Sequence, residues 1–379
     1  MLVTSCFHLS VGYTQIRLHA LLLDEKDVPV AYATVYNSST QLGVITNKEG
    51  RFIMDAQPDD VIVIRSLGFI ENKSYAGQLQ DAGVVVMKQM SYNIDELTVT
   101  ANIAGSDVDA EAIVRNFFSR IRRNYPRHPV VISGIYKEYT QNGEEYLGYL
   151  NCNVDIFINS MSSIFSPTIK TRVRDYKLLR PQNRGRAYMV HETNLRRFWL
   201  LGSSFNFLRE YKEYKYNYLE HTTHGGSTLI KIMFQPVQIN KLKRQFKGIL
   251  YIDIDSYALV FLHYEEIPNE LDYYFARGKW QKLLSREITI SFDFKNDFYY
   301  HAYIVTKHTM KIKDRDESVD LIFNFFTENI ENFSRRNFNS DSLSLFELSN
   351  TEITFLEQSM DYKSNFILET EQERLLFQR

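Results

Sequence analysis

From Ile16 to Asp24 apolar and polar positions alternate: Leu18, Ala20 and Leu22 point one way, Arg17 and His19 the other. That two-residue period is the mark of a half-buried strand. Asp24–Asp27 is a polar turn, and Pro29 suits a strand at a sheet edge. Gly43 and Gly50 punctuate two short strands, with Asn47–Gly50 between them as a hairpin loop whose glycine takes a positive φ. Val61–Ile64 and Val84–Met87 are continuous apolar runs, as in the core of a sandwich. So many short strands between residues 16 and 90 predict a seven-stranded β-sandwich rather than a βαβ unit.

The period then changes. Residues 91–106 read as a linker, with Asn102–Ser106 at its end. Over Asp107–Tyr125 the apolar residues Ala110, Ile113, Val114, Phe117, Phe118 and Ile121 fall on one side of a helix. Asp107 or Ser106 caps it and Pro126 ends it. This helix is expected to pack on a sheet. Strands follow: Val130–Gln141 and Glu144–Ile158 flank the hairpin signal Asn142-Gly143. Ser227–Gln235, Phe246–Ile254, Tyr257–Glu265, Leu284–Phe294, Tyr299–Ile312 and Ser318–Ile330 read as an antiparallel meander. Residues 107–340 thus form one helix plus an antiparallel β-domain. Residues 341–379 read as a helix over Leu345–Tyr362 and a polar tail. The fold class is mainly β, with an N-terminal sandwich, a linking helix and a large antiparallel, half-barrel-like β-domain.

Composition agrees. The 379 residues include 25 Tyr and 26 Phe but only 2 Trp, a bias toward strands. A net charge of −2 selects neither nucleic acid nor a membrane surface. Cys6 and Cys152, the only two cysteines, form no disulfide framework. Residues 1–15 read as a leader or signal remnant, and Val3–Cys6 resembles a lipobox in which Cys6 would carry lipid. No stretch is long enough for a transmembrane helix.

Candidate chemistry is sparse. His263 and Glu266 have the spacing of a zinc pair, but inside a strand residues three apart face opposite ways. His221 and His224, beside Gly225-Gly226, offer metal ligands only if they lie in a loop. No nucleophile elbow, phosphate loop or dinucleotide fingerprint is present. No catalytic residue, metal or cofactor is therefore expected. Lys170, Arg172 and Arg174 belong to a basic stretch, a surface for an anionic partner or simply a solvated sheet face. No nucleic-acid reader accompanies it. Trp199, Phe205 and Phe207 are candidate walls of an apolar pocket, with core packing as the default.

Two resemblances add to this. Asp24, Pro29, Ala33-Thr34-Val35, Gly43, Thr46, Gly50-Arg51-Phe52 and Ser66–Phe69, followed by Ile94–Ala101, resemble the carboxypeptidase-like regulatory domain, a transthyretin-like sandwich of Bacteroidota envelope proteins. That family usually has Gly where Ala20 stands. Phe246–Val260 resembles the central hairpin of LolA-like half-barrels. The resemblances imply a periplasmic or outer-membrane-associated protein with an envelope protein partner or an apolar ligand. Three functions are expected, in this order: a non-enzymatic envelope interaction or scaffold protein, a lipid or apolar-ligand carrier, and a hydrolase with a regulatory sandwich.

Overall fold

The structure, a computed structural model, describes residues 15–40, 42–89, 108–143, 145–162, 169–179, 206–270, 273–276, 279–313, 317–333, 355–358, 370 and 373. The leader with Cys6 and the linker 91–106 lie outside these residues. The chain divides into two compact units, Met1–Leu97 with Tyr362–Arg379, and Thr98–Asp361.

The first unit is the expected sandwich of seven strands. Strands β4 (Arg51–Ala56), β1 (Ile16–Asp24) and β7 (Val84–Met87) make one sheet, with β7 parallel to β1. Strands β3 (Leu42–Ile45), β2 (Thr34–Asn37), β5 (Val61–Arg65) and β6 (Asn72–Tyr75) make the other. Leu18, Ala20, Leu22, Phe52, Met54, Val35, Ile62, Ile64, Val85 and Met87 meet in its core. Two details differ from the sequence reading. Val28–Val35 is not one strand: Pro29 makes a single bridge to Leu23, and Tyr32 turns the chain at φ 58° before β2 begins. A short helix α1 (Ala76–Ala82) fills the connection between β6 and β7 and stops at Gly83, whose φ is 65°.

The second unit is built on one open sheet. Its path runs β11 (Tyr214–His224), β12 (Ser227–Pro236), β13 (Phe246–Asp253), β14 (Leu259–Glu266), β16 (Lys279–Lys295), β17 (Phe298–Ile312), β18 (Glu317–Asn332), β8 (Val130–Asn142), β9 (Glu145–Ile158), β10 (Ile169–Leu179) and β19 (Phe355–Gln358). The short β15 (Tyr274–Ala276) adds to β16. The expected meander is β12 through β18. Pairing of β18 with β8 joins the expected first hairpin to its end. At residues 355–358 the expected C-terminal helix is replaced by β19, antiparallel to β10.

Helix α2 (Ala110–Asn124) starts later than predicted, because Asp109 is the cap: its carboxylate accepts from the Ala112 amide at 2.9 Å. Its backbone comes closest to β11 and to β17. On a flat sheet those strands would lie roughly 24 Å apart, at about 4.8 Å per step. The 15-residue helix, about 22 Å long, therefore lies across several strands. Two glycines mark close approaches of neighbouring strands. A Cβ on Gly134 would sit 2.1 Å from the Phe326 carbonyl oxygen, and one on Gly248 would sit 2.1 Å from that of His263.

Candidate functional site

Strand alternation gives this sheet two faces, one row buried throughout and the other buried only in part, at Tyr251, Phe326, Ile135 and Asn153. Opposed residues share a face, so one register can be followed across the sheet. Ile232, Leu250, Leu262, Ile290, Ile304, Phe325, Tyr136, Cys152 and Tyr176 lie opposite one another in turn. All nine are buried. The adjacent row carries Lys231, Tyr251, Phe261, Ser291, Tyr303, Phe326, Ile135, Asn153 and Asp175 on the other face. There Lys231 pairs with Glu220 at 2.9 Å under partial exposure.

The apolar face is the obvious place for cargo, and the chain itself occupies the part near α2. Ala110, Ile113, Val114, Phe117 and Ile121 of α2 are buried. Tyr125, which follows the helix, packs 5.5 Å from Phe292 and 6.2 Å from Tyr299, ring centre to ring centre. Its hydroxyl donates to the Leu259 carbonyl at 2.8 Å, and burial pushes its pKa well above the usual tyrosine value. Arg120 and Asn124 donate to the Asp255 and Ser256 carbonyls and fix the helix end at the β13–β14 turn. Further along, Phe207 in the short 3-10 turn Asn206–Arg209 is ringed by Tyr214, Phe234, Phe246 and Tyr264, with centres 4.7–5.8 Å away. It fills space on that face. Trp199 and Phe205, the other two proposed pocket walls, lie outside the described residues.

Polar groups do enter the apolar face. Glu138 is buried on it and accepts from the Tyr136 hydroxyl. Thr306 donates to the Phe323 carbonyl at 3.2 Å. His301 is fully buried with its ring 4.6 Å from that of Phe292. Burial, with Asp175 and Glu138 adding to it, lifts the Cys152 thiol well above its ordinary pKa, so it stays protonated and unreactive. Sequence reasoning missed Glu138 and His301. Nothing marks either position except its parity within a strand.

The two histidine pairs resolve clearly. His263 opposes Ile249 and Thr289 and makes a 2.9 Å hydrogen bond with the Thr289 hydroxyl. Glu266, on the opposite face, accepts from Asn269 at 2.9 Å, with Arg244 and Arg286 each at 3.7 Å. The strand turns the pair apart as expected. His221 and His224 are not in a loop: Gly225 and Gly226, at φ 57° and 88°, form the hairpin turn, so β11 continues through His224. His221 instead meets the Tyr218 hydroxyl at 2.6 Å.

The basic trio sits on β10. Lys170 is exposed, but Arg172 reaches Asp155 at 2.6 Å, and Arg174 reaches Asp155 at 3.3 Å and Glu328 at 3.6 Å. Asp155 is nearly buried between the two guanidinium groups. Much of the expected positive field is therefore spent inside the sheet.

No protein-family model and no curated protein matches the chain. Among solved structures it is similar to a Vibrio parahaemolyticus domain described as an outer membrane lipoprotein-sorting protein, at 13% identity and a TM-score of 0.23, covering 62% of this chain and 98% of that one. A LolA superfamily protein from Nitrosomonas europaea matches at 11% identity and 0.23, covering 62% and 99%. MucB in complex with MucA matches at 7% identity and 0.20, covering 66% and 100%. Similarity of this degree assigns neither family nor activity.

Proposed function

We propose that the protein is a non-enzymatic cell-envelope interaction module, periplasmic or associated with the outer membrane. In this reading the sandwich is a docking domain of the carboxypeptidase-regulatory type, as in Bacteroidota envelope proteins, and the large sheet is a scaffold. One observation carries it: around α2 and Phe207 the apolar face is filled by the protein's own side chains. An open apolar groove is costly without ligand, and a filled one has no need of cargo. The hydrolase reading draws no support from His263 and Glu266, which face opposite ways.

The carrier reading keeps one supporting observation, the aromatic lining of Tyr214, Phe234, Phe246 and Tyr264 around Phe207. Such walls suit an acyl chain once a plug is removed. Native mass spectrometry of protein purified from a bacterial envelope separates the two. The scaffold reading expects no bound lipid and a protein partner. Stoichiometric lipid would move the assignment to a carrier. Phe207→Ala gives a second check. If Phe207 is structural fill, the variant loses about 3 kcal/mol of stability by chemical denaturation. If it is a displaceable plug, stability barely changes and fatty-acid binding rises.

A further inference from the structure

The connection from β12 to β13 carries an unusual surface. Within Val237–Gln245, Val237 is 49% exposed, Ile239 62% and Leu242 74%. Lys241 stands between Ile239 and Leu242, Lys243 and Arg244 follow, and no carboxylate occurs from Pro236 to Phe246. Exposed aliphatic side chains are ordinary when scattered, but three in one short loop form a patch.

The loop is built to hold that shape. Gln245 is buried at its base. Its side-chain oxygen accepts from the Asn240 amide at 2.6 Å, and its nitrogen donates to the Gln238 carbonyl at 2.9 Å. The Asn240 side chain accepts from the Leu242 amide at 2.9 Å. Backbone bonds tie the loop down at Val237 to Glu213, at Lys241 to Glu270 and at Gln245 to Ile267. The aliphatic tips are presented by a fixed frame, and that frame is polar, so they add nothing to any core.

Charge selects the partner. Arg209, Lys212 and Lys215 stand on the adjoining segment and raise the local cations to six with Lys241, Lys243 and Arg244. The nearby carboxylates are Glu210 and Glu213, which engage Lys243, Glu270, which engages Lys241, and the buried Glu266, 3.7 Å from Arg244, so the six cations outnumber these four carboxylates and leave a positive balance. The loop itself walls a cleft of about 540 Å³, lined by Lys212, Glu213, Val237, Ile239, Lys241 and Lys243 among others. An exposed aliphatic loop with long cationic side chains around it fits a lipid interface. The tips enter the headgroup region while the lysines stay at the phosphates.

We propose that Val237–Gln245 docks this protein onto an anionic membrane surface. Val237, Ile239 and Leu242 make the apolar contact, and Lys241, Lys243 and Arg244 make the electrostatic one. The proposal is independent of whether the apolar sheet face is filled or carries cargo.

The test is co-sedimentation of the full chain with vesicles of equal parts phosphatidylcholine and phosphatidylglycerol, against vesicles of phosphatidylcholine alone. The native chain should bind the anionic vesicles, more weakly as salt rises. The double variant Ile239→Glu, Leu242→Glu should bind about tenfold less or worse, since it removes apolar contact and reverses charge together. Both positions are exposed, so circular dichroism should be unchanged. In an otherwise native chain, Leu242→Trp should show an emission blue shift, measured against the parent, when anionic vesicles are added. Failure of the native chain to bind anionic vesicles at physiological salt overturns the proposal. So does equal binding by the double variant, or an unshifted Leu242→Trp spectrum. If ultracentrifugation shows that the double variant breaks a self-association of the native chain, the patch belongs to a second copy and the proposal also fails.

Discussion

At the residue scale, the sandwich places one carboxylate where titration and folding meet. Asp60 accepts from the Gln57 amide at 2.9 Å and from the Asn37 side chain at 2.7 Å. The backbone bond, then the Asn37 bond, holds its carboxyl below the ordinary value of 3.8. A depressed carboxylate contributes stability above its unfolded pKa and loses it as pH falls through the folded one. The sandwich should therefore weaken from about pH 4 downward. Asp60→Asn, which keeps an acceptor but cannot titrate, should flatten that part of the curve. Denaturant midpoints of both proteins across the acid range measure this. An unchanged slope in the variant would assign the acid sensitivity elsewhere. Arg172, Arg174 and Asp155 give the same lesson about charge. A basic run in sequence becomes a shared ion pair once cross-strand register is known.

At the element scale, strand pairing rests on close backbone approaches. Gly248 opposes Tyr264 in the β13–β14 pair, and any side chain there would strike the His263 carbonyl. Gly248→Ala should destabilise the second unit by about 1–3 kcal/mol, the usual cost of overpacking, by forcing those strands apart. Loss of cooperativity in the unfolding of that unit would show the same strain, and a neutral variant would mean the strands can yield. Element existence was readable wherever alternation was strong. The runs from Ser227 to Ile330 each became a strand of the meander. In β11 the alternation of Tyr214, Tyr216 and Tyr218 with polar residues is cut short by the bulge between Tyr218 and Glu220, where Leu219 breaks the period. α1 was lost because seven residues containing Gly77 carry too little period to stand out. Long-range joins such as β18 with β8, and β10 with β19, leave no local trace at all. For that reason the apolar face was expected, while its continuity across the sheet was not.

At the scale of the whole molecule, the question is whether the sandwich is a true module. The chain returns to it at the C-terminus. Residues Tyr362–Arg379 group with the first unit, and Thr370 and Glu373 cap each other reciprocally, with bonds of 2.8 Å and 3.2 Å. Tyr32, in the same unit, has its pKa pushed up to about 12, by burial first and by Glu373 second. Yet among the described residues the buried members of the sandwich core lie between Leu18 and Met87, with Phe52 and Ile64 among the most enclosed. The hydrophobic term is the dominant favourable one in folding, and residues 18–87 supply an extensive core of their own. Residues 15–89 should therefore fold alone. The measurement is the amide spectrum of that fragment beside the full chain. Dispersed resonances that overlay the full-chain signals of the same residues are expected. A collapsed spectrum, restored only when residues 362–379 are supplied as a peptide, would make the tail an integral part of the domain and end the modular reading.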